Sequence, residues 1–176
     1  MVLGMSLSTF TLVHVIISLA AIASGFIVLF GLLGSNRMNG MTALFLATTI
    51  LTSATGFLFP FTQLLPSHMI GIVSLVLLAI ACIALYGMKL AGPWRPIYVV
   101  TAMLSLYLNV FVLIVQLFQK VSALNAVAPT QSDPPFVIAQ LAALVLFVAI
   151  GTLATRRFRP VADPVSVPAT VPTTAT

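Results

Sequence analysis

Long apolar stretches alternate with short polar punctuation along this chain. Five stretches reach or approach the roughly 20 mostly apolar residues that a bilayer-spanning helix needs. They cover residues 10–33, 41–59, 67–90, 97–118 and 134–155. Gly34-Ser35-Asn36-Arg37 stops the first, and Pro60 stops the second. Pro66 and Pro96 sit where first helical turns are expected. Pro134 follows Ser132 and Asp133, either of which suits an N-cap. The pattern predicts an all-α integral membrane protein, a bundle of about five transmembrane helices within residues 1–159. Ala21-Ile22-Ala23 resembles a cleavage site, but no basic segment precedes the first stretch and its apolar run continues to Leu33. It is therefore read as a retained helix.

The pattern ends after Arg159. Prolines at 160, 164, 168 and 172 stand among Val, Ala and Thr, which predicts a disordered tail over 160–176. The segment between the fourth and fifth spans, 121–133, is expected to hold a short interfacial helix, and Trp94 is expected to anchor at the interface.

Composition reinforces this reading. The chain of 176 residues is 61% hydrophobic and 5% charged, against about 25% charged in soluble domains. A soluble fold of this composition has no polar surface to present, whereas lipid tolerates an apolar one. The net charge of +5 does not indicate nucleic acid, because the basic residues lie scattered at helix ends. Arg37, Lys89, Arg95, Arg156, Arg157 and Arg159 fall on one side of the predicted topology, and Lys120 alone on the other. The positive-inside rule then predicts a multi-pass protein of the inner (plasma) membrane, with the N-terminus outside and the C-terminus cytoplasmic.

Candidate chemistry is sparse. Neither Asp133 nor Asp163 falls within a span, which removes paired-carboxylate chemistry from the membrane interior and argues against proton coupling. Cys82 is the only cysteine, so no internal disulfide or thiol pair exists, and it reads as a small apolar residue. No Ser-His-acid set, phosphate loop or metal-ligand spacing is visible.

Two histidines are the most specific signal. His14 and His68 precede the basic residues Arg37 and Lys89 by a helical rise of roughly 30–35 Å. Both are therefore expected near the outer face, on parallel first and third helices. Asn109 is expected near the midplane, in a polar stripe with Ser105, Gln116 and Gln119 that should face the bundle. A pocket built from His14, Gln116 and Gln140, with His68 at its rim, would suit a cofactor: haem b with iron between the two imidazoles, or a quinone. The simpler account makes these groups interhelical hydrogen-bonding partners. On the second helix, Thr48, Thr52 and Gly56 share one face and Thr49 and Ser53 another, as expected for close packing.

Three function classes follow. The first is a non-catalytic accessory or assembly protein, working with the lipid bilayer and either a membrane-protein partner or copies of itself. The second is a haem- or quinone-binding redox protein. The third is an oligomeric channel or transporter of small solutes.

The topology is directly testable. Reporter fusions at Arg37, Pro93 and the C-terminus should report cytoplasm, and fusions at Gln63 and Gln131 the exterior. A cytoplasmic signal at Gln131 would mean that the last two spans are misassigned.

Overall fold

A computed structural model of the chain describes residues 2, 4–60 and 66–160. The tail expected from 160 onward, Pro160 excepted, and most of the loop between Pro60 and Pro66 lie outside the described residues. The architecture is all-α. Its elements are α1 (Leu7–Leu33), α2 (Asn39–Gly56), α3 (Pro66–Cys82), α4 (Trp94–Lys120), α5 (Ser122–Val127) and α6 (Pro134–Arg157). A π-helical turn, Ile83–Gly87, extends α3.

Among the described residues, four helical segments are long and apolar enough to cross a membrane: Leu7–Leu33, His68–Gly87, Trp94–Lys120 and Pro134–Arg157. At 18 residues, α2 is shorter and less apolar, because five threonines and a serine replace aliphatic positions. Its contacts nevertheless match those of a crossing helix. Its C-terminal turn reaches the N-terminal parts of α1, through Thr55 and His14, and of α3, through Phe57 and His68. It thus runs antiparallel to both. The molecule is a small multi-spanning membrane helix bundle.

The helix ends follow local chemistry. Ser6 caps α1, its hydroxyl accepting from the Thr9 N–H at 3.1 Å. At the other end of α1, Ser35 N–H donates to Leu32 C=O and Asn36 N–H to Gly31 C=O, the paired bonds of a Schellman motif. The left-handed residue that this motif requires is Ser35, with φ 58°, one position beyond Gly34. Pro66 opens α3 and Pro134 opens α6. Asp133 takes the N-cap position of α6 but makes no side-chain cap bond. Pro134 and Pro135 lack N–H donors, and the Asp133 carboxylate turns back to accept from the Thr130 N–H and hydroxyl at 2.7 and 2.8 Å. The short helix expected in this segment is α5, whose residues are not buried.

Helix α4 is the hub, packing against α1, α2, α3 and α6. The core sits toward the end that carries Arg37, Lys89, Arg95 and the arginines after residue 155, here called the basic end. It joins Leu29, Leu32, Phe45, Leu78, Tyr98 and Leu106 with Phe158, just past α6. Trp94 and Cys82 pack against this cluster, half-buried. Outside it, large apolar side chains such as Phe30, Val76 and Val145 point away from the protein. A lipid environment makes that surface favourable.

Gly25 allows the closest approach in the core. A Cβ there would lie 2.5 Å from Leu106 Cδ1 and 2.9 Å from the Phe45 ring. Gly25→Leu is therefore expected to destabilise the bundle by about 1–3 kcal/mol through overpacking. Gly40→Ala, where a Cβ meets nothing within 4 Å, should leave stability unchanged or slightly raised. Unfolding of both variants in mixed micelles checks this; equal stability of Gly25→Leu and wild type would contradict the packing described.

Candidate functional site

The two histidines come to the end of the bundle opposite the basic end, and both do so through the C-terminal turn of α2. His14, two turns inside α1 and half-buried, lies 2.8 Å by Nδ1 from Thr55 Oγ1. The Thr55 hydroxyl donates its proton to Leu51 C=O at 2.7 Å. His14 Nδ1–H is therefore the donor, and Nε2 carries the lone pair. The imidazole meets the Phe59 ring edge-to-face at 5.2 Å, and Phe59 in turn packs on Phe10 at 4.9 Å. His68 is buried beside Phe57, their ring centroids 5.6 Å apart. Phe57 also lies close against Gly71, one turn further along α3. Phe57 and Phe59 thus serve as packing partners, one for each histidine.

The two glutamines behave differently. Gln140 is 8% exposed and donates from Nε2 to Phe111 C=O at 3.2 Å. Its Oε1 is buried without a hydrogen-bond partner among the described residues. Gln116 is exposed. The polar stripe of α4 faces the bundle only over its first half: Ser105 is buried, Asn109 half-buried, and Gln116 and Gln119 are exposed. Asn109 Nδ2 donates to Thr49 Oγ1 at 3.4 Å, a long bond. The contacts of His14, Gln140 and Gln116 therefore lead to three different places: the end of α2, the backbone of α4, and the surface.

Of the two small-residue faces of α2, that of Thr49 and Ser53 is buried, and Ser53 donates to Ser74 on α3 at 3.1 Å. The Thr48 hydroxyl donates to its own helix, at Leu44 C=O. Among the described residues no group of three His, Cys, Asp or Glu side chains comes close enough to hold a metal ion.

Two features were not anticipated from the sequence. One is the partnership of His14 with Thr55, whose only signal was the hydroxyl-rich character of α2. The other is a groove of about 380 Å³ between α4 and α6, lined among others by Met103, Tyr107, Phe147 and Gly151, with Arg156 at one end. Apolar periodicity does not disclose such a gap. Gly151 contributes no side chain to its wall, and a Cβ there would meet Met103 at an ordinary contact distance of 3.9 Å.

The polar contacts make a testable contrast. Thr55→Val removes the acceptor for His14 and is expected to cost about 0.6 kcal/mol, the usual worth of an interhelical bond. Gln140→Met loses one bond but also removes the buried Oε1 that lacks a partner, so it should lie within about 0.5 kcal/mol of wild type. Unfolding of each variant in micelles provides the measurement. A loss of about 2 kcal/mol for Gln140→Met would mean that Oε1 is engaged.

No family model, no curated protein and no solved structure matches this chain.

Proposed function

We propose that this chain is a non-catalytic accessory or assembly protein of the inner (plasma) membrane, with its N-terminus outside and its C-terminus in the cytoplasm. The observation that carries this reading is the surface of α6. Only 17% of its most apolar stretch is buried in the bundle, the smallest share of any crossing helix. Ile138, Leu141, Val145 and Val148 form an exposed apolar stripe at helical spacing. A crossing helix held by so narrow a strip leaves its other faces available to a second membrane protein or a second copy of this chain. Association there would rest on close van der Waals packing, since lipid is as apolar as the helix surface. The non-catalytic reading takes the interior hydroxyls as structural groups, since most donate to their own helix backbone. The collection of six basic residues at one end supports the orientation.

A second reading rests on one observation. The bond from Nδ1–H to Thr55 leaves the Nε2 lone pair of His14 suited to ligate iron. It does not suit donation to a quinone carbonyl, so haem b is the better redox candidate, with His68 as the other imidazole.

One preparation tests both readings. A photoreactive residue at Val145, in native membranes, should give a discrete protein adduct, while one at Val76 on α3 should not. Adducts to lipid alone at Val145 would overturn the accessory reading. The same protein, purified mildly after expression with ample haem, should be colourless. A Soret band lost in His14→Ala would establish the redox reading instead.

A further inference from the structure

The groove between α4 and α6 is graded along its length. Its deep end, at Tyr107 and Leu144, lies at the middle of both helices, which span Trp94–Lys120 and Pro134–Arg157. Its other end is Arg156, in the last turn of α6. Twelve residues of α6 separate Leu144 from Arg156, a rise of about 18 Å. One leaflet of hydrocarbon is about 15 Å thick, half of the bilayer core. The groove therefore spans a single leaflet, from the midplane to the headgroups on the basic side. A partner helix would need a groove across the whole membrane.

Chemistry follows the same gradient. Val100, Met103, Phe147 and Val148 make the walls apolar. Thr152 and Thr155 also line the groove, but their hydroxyls donate to Val148 and Gly151 C=O at 2.7 and 2.8 Å, so they leave no donor for a ligand. Arg156, exposed in the last turn of α6, is the basic residue among those lining the groove. Among the described residues the only carboxylate is Asp133, at the opposite end of α6, so none of them places an acidic group beside Arg156. Arg157 and Arg159 add positive charge nearby. The volume of about 380 Å³ lies within the range of small-ligand sites, roughly 300–1,000 Å³.

We infer that this groove is a binding site for one anionic phospholipid of the leaflet on the basic side, with an acyl chain between α4 and α6 and the phosphate on Arg156. A guanidinium at headgroup depth selects negative charge, because two parallel N–H groups match phosphate oxygens and the apolar surroundings weaken competition from water. The helices meet at its deep end, through Tyr107 with Phe147, and again beyond that end, through Phe118 with Phe136. The site thus belongs to the folded bundle and does not depend on a partner protein.

Lipid retention by the full chain in detergent, read by native mass spectrometry, tests the assignment. Dioleoyl phosphatidylglycerol and dioleoyl phosphatidylcholine serve as probes with identical chains. Phosphatidylglycerol should bind about fivefold more tightly, the effect of one basic residue at a membrane surface. Arg156→Gln should remove that preference, and Arg157→Gln, outside the groove, should keep it. Gly151→Leu should weaken retention of both lipids by filling the groove. A photoreactive phosphatidylglycerol with its label near the chain end should mark peptides around Leu144. Equal retention of the two lipids by wild type would overturn the proposal. So would equal losses in Arg156→Gln and Arg157→Gln, which would indicate a diffuse basic surface. A photoreactive residue at Leu144 that labels protein in place of lipid would assign the groove to a helix and overturn it too.

Discussion

Inside a bilayer there is no water to satisfy a polar group, so each must find its partner within the chain. This bundle meets that constraint mostly one helix at a time. Thr11, Ser18, Ser24, Thr48, Thr55, Thr101, Ser105, Thr152 and Thr155 each donate to a carbonyl four residues earlier on their own helix. Such bonds satisfy a hydroxyl and join nothing. The polar bonds that link helices include His14 with Thr55, Ser53 with Ser74, Asn109 with Thr49, and Gln140 with the backbone of α4. Cohesion therefore falls to packing at small residues, and Gly25 between Phe45 and Leu106 is its tightest point. A hub helix, α4, is the corresponding architecture, since contacts without directional bonds favour one element touched by all the others.

The turns at the basic end carry the backbone strain. Ser35, Met38, Lys89 and Leu90 all have positive φ although none is glycine. Such residues cost about 1 kcal/mol or more each and persist where the surroundings hold them. Here the holding groups are visible. The Schellman bonds fix Ser35, and Leu90 buries its side chain in the core while its N–H donates to Ala84 C=O within the π-helical turn. The two turns are thereby tied to the cluster around Tyr98, whose hydroxyl shares a hydrogen bond with Thr42.

Much of the fold was legible in the sequence because lipid imposes length and apolarity together. The spans, the prolines at helix starts and the short helix after α4 all follow from that rule. Hydroxyls blurred the second span, since threonine reads as polar although its proton returns to its own backbone. The polar stripe of α4 was legible only in part: Ser105 and Asn109 turn inward, while Gln116 lies near the helix end, where exposure of an amide costs little. Asp133 holds the cap position without capping, because the two prolines after it removed donors that residue type alone does not reveal. For the candidate site, the sequence placed His14 and His68 at a common depth. It did not disclose Thr55, Phe57 and Phe59, which belong to a different helix and meet the histidines only through packing. The contacts of Gln140 were hidden for the same reason.

The strained turn after α1 also binds the other terminus of the fold. Ser35 Oγ accepts a hydrogen bond of 2.7 Å from the backbone N–H of Arg159, 124 residues later. Phe158, beside it, packs its ring on Tyr98 at the start of α4. During synthesis Ser35 emerges early, and its partner arrives only when α6 has been inserted. The latch therefore closes last, after every crossing helix is in place. It makes the geometry of the first turn depend on the end of the last crossing helix, so the two extremes of the bundle hold each other.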